Sequence, residues 1–412
     1  GLFPPGHPYR HSTIGSMEDL DAASLDDVHK WFKDYYGAAN TVLVLAGDID
    51  VETARTLTEK YFGHIPSGPP VKRLKTLIPE RRSDSFEVMY DRVPQIRTYR
   101  WWAVPGRTTQ AKVQLDLAAS VLGDGKNSRL YQALIYNNQL ASNVNVYVEE
   151  HELTSMFTID VRLKEGSSLD EVNRIMDAEI QRFLAEGPTD EELERVKTQA
   201  NATLIRGLEQ IGGFGGKATA LAQGELYAGD PGFFIKANTW MNDATPAAVQ
   251  AAAKRWIESG RFQLDVLPFG DYTTSEPQVD RSKGLPPVGE FPDLSFPEIQ
   301  RAELKNGLDV VLAERRAVPV VNIALQFDAG YAADSFGKLG TSSFTLSMMD
   351  EGTKNRSALD ISLEAEKLGA NINTNSNLDM SSLSLSALRS KLEPSLELFA
   401  DVVRNPSFEQ SE

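Results

Sequence analysis

The groups able to do chemistry in this chain are few and poorly spaced for it. His7, His11, His29, His64 and His151 are its five histidines, and there is no cysteine to supply a thiolate. Zinc asks for imidazole, thiolate or carboxylate donors, and two ligands on one helix must stand three or four residues apart to share a face. His7 and His11 have that spacing but lie in a Pro/Gly-rich start where no helix is expected. His151-Glu152 begins a His-Glu-x-x-His pattern whose second ligand position is Ser155, so a solvated hairpin tip, Glu149 to Glu152, is the reading. Gly125-Lys126 invites comparison with a phosphate loop, which needs glycine five residues before its Gly-Lys and Ser or Thr after the lysine. Ser120 and Asn127 break both requirements, and Ile211 and Ala218 break them for Gly216-Lys217, so no nucleotide site is expected.

One stretch, Gly340 to Thr353, has the frame of a metal-binding helix without the ligands. Ser343, Leu346 and Ser347 fall on the face where ligands would stand and offer two weak hydroxyls and an aliphatic side chain. Taken alone, it reads as a small-residue amphipathic helix ended by glycine.

The elements that would position these groups imply more than one domain in 412 residues. Lys+Arg 42 against Asp+Glu 58 gives a net charge of -16, which argues against nucleic acid or an anionic membrane surface as partner. No apolar run reaches membrane-span length. The missing cysteines suit reducing and oxidising compartments alike, so a periplasmic and a cytoplasmic setting both fit. The chain opens on Gly-Leu-Phe-Pro-Pro-Gly rather than methionine, and a piece of a longer polypeptide is the expectation.

Val28, Trp31, Phe32, Tyr35 and Tyr36 have amphipathic-helix spacing, and the β-branched run Thr41 to Ala46 after them predicts a buried strand stopping at Gly47-Asp48. Val51 to Phe62 predicts another helix. Strands are expected at Phe86 to Tyr90 and Arg97 to Val104, a helix at Ala111 to Leu122, and a hairpin from Asn143 to Val148 and Met156 to Leu163. Ser168 with Glu171 and Thr189 with Glu192 suggest capping boxes; Thr245-Pro246 opens a later helix that feeds a strand, Phe262 to Leu267. That strand ends in Gly270-Asp271, so the helix, strand, Gly-Asp pattern recurs 223 residues after Asp48. A Pro-rich linker and a two-strand start follow each copy.

In this order the stretches resemble the pitrilysin/insulinase family of zinc metallopeptidases. The resemblance is carried by Gly6-His7-Pro8-Tyr9, Tyr35-Tyr36 and Val42 to Asp48; by Leu122-Gly123 with Ser128-Arg129-Leu130-Tyr131; and by Lys305-Asn306-Gly307-Leu308, Gly330-Tyr331, Leu368-Gly369-Ala370 and Asn405-Pro406-Ser407-Phe408. It implies an α+β fold: tandem α/β half-domains of the metallopeptidase LuxS/mitochondrial-processing-peptidase-like type, with antiparallel or mixed sheets covered by helices. The implied divisions are 1–66, closing a first half-domain; 67–85, a linker; 86–271, a complete second half-domain; 272–298, an interdomain linker; and 299–412, opening a third, degenerate half-domain.

The resemblance also implies what the chain lacks. In the family's inverted His-x-x-Glu-His motif the first histidine, the catalytic glutamate and the second histidine fall at Ser343, Leu346 and Ser347. Members grip the substrate backbone with an arginine and a tyrosine seven residues apart, and Ile135 and Ser142 stand there. The expectation is therefore a parent zinc metalloendopeptidase that encloses and cleaves peptides, with no metal held by this chain. Its implied partners are the parent's peptide substrate and the rest of the parent polypeptide or a homologous subunit. The alternative is a non-catalytic core or assembly subunit of a larger complex.

Overall fold

A computed structural model of the chain describes residues 1–269, 298–316 and 318–409. Gly270-Asp271 and the linker read at Tyr272 to Pro297 lie outside the described residues. The first helices are α1 (Met17–Ala22), α2 (Leu25–Tyr35) and α3 (Val51–Phe62), capped by Ser16, Ser24 and Asp50. Ser24 and Asp27 form a reciprocal capping box, satisfying amides that a helix start leaves unpaired. No residue of these three helices is buried. The expected strand at Thr41 to Ala46 is a correction: among the described residues the segment joins no sheet. Its β-branched residues favour extension, yet a strand exists only against a partner's backbone, and here nearby amides are used elsewhere. Ala38 and Ala39 donate to the carbonyls of Pro66 and Ser67.

The next unit has a five-stranded sheet: β1 (Ser85–Asp91), β2 (Arg97–Val104), β3 (Ala141–Glu149), β4 (Ser155–Leu163) and β5 (Phe262–Pro268), ordered β1-β5-β2-β4-β3. All neighbours are antiparallel except β1 and β5, which run parallel. Between these strands come α4 (Gln110–Gly123), α5 (Arg129–Tyr131) running into a π-turn, α6 (Leu169–Glu186), α7 (Asp190–Gly207), α8 (Lys217–Ala228), α9 (Phe233–Asn242) and α10 (Pro246–Ile257). Thr98, Arg100, Trp102 and Val104 alternate inward along β2, the period-2 pattern that turns one face to a helix layer. Phe157, Ile159, Leu163, Met176 and Phe183 are fully buried in the resulting core. Burial of each such side chain stabilises by about 1.5–3 kcal/mol before its ordering entropy is counted. Thr189 with Glu192 forms the expected capping box; Ser168 caps α6 through the Glu171 amide alone.

The last unit holds β6 (Ile299–Glu303), β7 (Asp309–Ala313), β8 (Val320–Phe327), α11 (Thr341–Met348), α12 (Ala358–Leu368), β9 (Asn371–Ser376), β10 (Ser381–Leu388) and α13 (Leu392–Arg404). Its strands form two separate pieces, an antiparallel sheet β8-β10-β9 and a hairpin β6-β7. Along β10, Ser381, Leu383, Leu385 and Ala387 point inward onto α13. α12 packs on α7 and joins this unit to the preceding one. Thr41 to Ala46 makes no ladder with β8, β9 or β10.

Candidate functional site

The motif helix α11 starts at Gly340, whose left-handed φ of 89° a side-chain-bearing residue adopts with strain. The buried Asp334 carboxylate caps it, accepting from the amides of Gly340 and Ser342 at 2.9 Å each. Leu346 is turned into the core with Leu383, Leu385 and Phe399, while Ser343 and Ser347 stay exposed. The three positions keep the i, i+3, i+4 spacing of one helix face, with Leu346 at its buried margin and the two serines in solvent. Ser347 donates back to the carbonyl of Phe344 at 2.9 Å. These residues do not fit zinc. Leu346 has no donor atom, and among the described residues no three His, Asp or Glu side chains converge on a common point.

The grip positions are equally plain. Ile135 lies in the π-turn and packs against the core of the five-stranded unit. Ser142 sits exposed at a β-bulge beside the start of β3, with its hydroxyl 3.4 Å from the Arg162 carbonyl. The hairpin tip keeps Glu149, Glu150 and Glu152 exposed, and one of them also anchors ion pairs. Glu150 pairs with Lys112 and, at 3.1 Å, with Arg107, whose guanidinium lies 4.1 Å from the ring centre of Tyr227. Lys112 also holds Asp116 at 2.9 Å. Close packing of protein around Asp116 pushes its carboxyl up to about 6 against the pull of Lys112, although 40% of the side chain remains accessible. This charged network rims an apolar cavity of about 470 Å³ walled by α4, α7, α8 and α9. His151 makes no metal geometry: its ring nitrogen is 3.3 Å from Glu149, and its amide donates to Ser155.

The rejected phosphate-loop stretch has a different role, one that sequence reasoning missed. Gly125, at φ 78°, lies so close to Glu366 that a Cβ would fall 2.4 Å from its Oε1. Lys126 Nζ is 2.8 Å from both oxygens of Glu351, in the motif-helix flank of the last unit. Arg195 of α7 meets Glu366 of α12 at 2.7 Å, both nearly fully buried. Burial pushes the Glu366 carboxyl up, with Arg195 pulling the other way. Arg206 donates to the carbonyls of Gly369 and Ser386, and Lys367 reaches Glu191 at 2.6 Å. A Gly-Lys loop and one helix face thus clasp the last unit onto the five-stranded one. No local spacing could reveal this, because the paired residues lie 171 and 225 positions apart.

Comparison with known proteins follows the same division. Residues 22–200 match the peptidase M16 inactive domain, and residues 309–412 match insulinase, peptidase family M16. The chain belongs to the insulinase family of peptidases. It is 24% identical over 206 residues to the zinc protease PqqE of Helicobacter pylori, covering 49% of this chain and 46% of that protein. It is 32% identical over 142 residues to cytochrome b-c1 complex subunit 1, mitochondrial, of Bos taurus, covering 34% and 29%. Over 119 residues it is 32% identical to mitochondrial-processing peptidase subunit beta of Rattus norvegicus, covering 29% and 24%. The chain thus spans about half or less of the length of these relatives. A protease from Helicobacter pylori shares the fold at TM-score 0.56 and 21% identity over 62% of this chain and 61% of that one. The peptidase M16 inactive domain from Pseudomonas fluorescens does so at 0.55 and 18%, over 67% and 65%.

Proposed function

We propose that this chain is a non-catalytic scaffold portion of a zinc metalloendopeptidase whose shell encloses a peptide. The observation that carries the reading is α11, a motif helix kept in place and capped while its ligand positions hold Ser343, Leu346 and Ser347. A zinc-bound water and a carboxylate base would be needed for peptide hydrolysis by this family's chemistry, and this helix supplies neither ligand nor base. Residues 1–66, 86–271 and 299–412 then act as the end of one half-domain, a whole one and the start of a third. The partners are the parent enzyme's peptide and the rest of the parent polypeptide or a homologous subunit.

Metal analysis after dialysis, alongside turnover of a fluorogenic peptide, tests this. The expected result is no stoichiometric zinc and no hydrolysis. One tightly held zinc per chain would overturn it. A second reading, an assembly subunit of a larger complex, draws on the 32% identity to a cytochrome b-c1 complex subunit. If the chain raises peptide turnover when mixed with a zinc-bearing family half, the first reading is favoured; stable incorporation without turnover favours the second.

A further inference from the structure

The cavity rimmed by Arg107, Lys112, Asp116 and Glu150 has no part in the scaffold reading. Every residue that lines it lies between Arg107 and Met241, inside the five-stranded unit. Its depth is apolar: Val113 and Leu117 of α4, Val196 of α7 and Met241 of α9 are buried in its walls, with Phe233 and Phe234 half-buried beside them. Ala200 of α7 faces this space and is exposed, although the same helix is part of the core at Leu193 and Val196. A volume of about 470 Å³ falls within the roughly 300–1,000 Å³ of small-molecule sites. An apolar space with a few polar groups converging at one end suits an amphiphile.

The polar end decides the head group. Glu150 has both carboxylate oxygens committed, Oε1 to Lys112 and Oε2 to Arg107 at 3.1 Å. Asp116 spends Oδ2 on Lys112 at 2.9 Å. A cationic head would therefore meet carboxylates that are already paired. The donors are less fully used. Arg107 reaches Glu150 and, at 3.3 Å, Gln223 through Nη2 alone, so among the described residues its Nε and Nη1 have no hydrogen-bond partner. The Tyr227 ring, 4.1 Å from that guanidinium, holds it at the rim. Lys112 divides the three protons of its ammonium between two partners, which leaves one unused.

We propose that this cavity binds a monocarboxylate with an apolar tail, its carboxylate meeting Arg107 and the unused proton of Lys112 and its tail lying between α4, α7 and α9. An arginine fork matches the two oxygens of a carboxylate, whereas a lysine adds a point charge. The tail supplies affinity by leaving water for the walls around Leu117, Val196 and Met241. The head fixes orientation. Glu150 acts as an internal competitor, because it occupies the same two cations. This inference goes beyond the scaffold reading and does not depend on it.

Decanoate, decylamine and decanol carry one tail with an anionic, a cationic and a neutral head, and each is titrated calorimetrically into the full chain below its micelle-forming concentration. The expected result is saturable binding of one decanoate per chain, about tenfold or more tighter than either control, the difference that a charge-assisted head contact makes. Arg107→Gln should remove that preference while leaving decanol binding unchanged, an outcome that general loss of structure would not give. Ala200→Phe places a ring in the open space and should abolish binding of all three, with the unfolding midpoint of tryptophan fluorescence kept as the check on folding. Glu150→Gln should tighten decanoate by withdrawing the competing carboxylate. The proposal is overturned by no saturable decanoate binding, by equal affinity for decanoate and decylamine, by binding that survives Ala200→Phe, or by no gain from Glu150→Gln.

Discussion

The two strand triplets β2-β4-β3 and β8-β10-β9 share order and direction, yet they sit in very different surroundings. The first is enclosed in one continuous core from Trp102 to Ile257, to which α10 contributes Val249, Ala252, Ala253 and Ile257. The second is backed by two small clusters, one around Leu383, Leu385 and Phe399 and one around Leu398 and Val402. Phe344 is 68% exposed and Phe327 is 44% exposed. An alternating strand such as β10 is therefore not enough. The pattern chooses the inward face, but the area removed from water depends on the helix and strand that close the layer.

If stability follows closure, the largest effects belong to the five-stranded unit. Phe157→Ala should cost it about 3–5 kcal/mol, read from the denaturant midpoint of tryptophan fluorescence. Trp101, Trp102, Trp240 and Trp256 lie in this unit and none lies in the last one, so the probe separates the two. Leu383→Ala in the last unit should leave that midpoint in place. Equal shifts from both substitutions would break the comparison, because the units would then unfold as one.

The clasp ranks next. Removing Arg195 leaves Glu366 buried without its partner, which costs about 3–5 kcal/mol, whereas replacing both with apolar residues of similar volume is often neutral. Arg195→Ala should therefore speed amide exchange and proteolysis in α12, and Arg195→Met with Glu366→Leu should restore most of the protection. If the double variant is as open as the single one, the pair orders the interface by something other than balanced charge.

Much of the fold was legible because local rules and tertiary structure agree. Thr189 before Glu192 and Thr245-Pro246 announce helix starts that the structure keeps. The hairpin β3-β4 follows from two alternating runs around a polar tip. The strand at Thr41 to Ala46 was misread because β-propensity describes how a segment fits a sheet, and among the described residues this segment has none beside it. At the motif helix the missing ligands were readable from residue types. The inward turn of Leu346 was not, since it depends on Leu385 and Phe399 arriving from later elements. The clasp was unreadable for the same reason, being built from residues remote in sequence.

A smaller effect should appear with pH. Burial of Asp401 favours its neutral form, but hydrogen bonds from Asn405, Thr353, Asn355 and Arg356 win and hold its carboxyl well below the usual range. A depressed folded value means the contribution is fully present above the unfolded value of about 3.9 and is lost as pH falls further. The last unit's unfolding transition, followed by far-UV circular dichroism, should weaken below about pH 4. Asp401→Asn should flatten that slope. The five-stranded unit should not respond to this substitution.

The smallest expected effect tests how deep the clasp runs. Lys126 and Glu351 touch at 2.8 Å but keep 35% and 30% of their side chains exposed, against 2% and 8% for Arg195 and Glu366. Solvent screens the first pair, so a double-mutant cycle of Lys126→Ala and Glu351→Ala should return a coupling of only about 0.2–1 kcal/mol. Added salt should shrink it further, because the Debye length falls to about 3 Å near 1 M. The Arg195–Glu366 coupling, shielded by α7 and α12, should persist in the same salt. A salt-insensitive coupling at Lys126 as large as that at Arg195 would mean that the Gly-Lys loop is sealed when the units meet. The clasp would then be one dry interface rather than a buried ion pair with a wet rim.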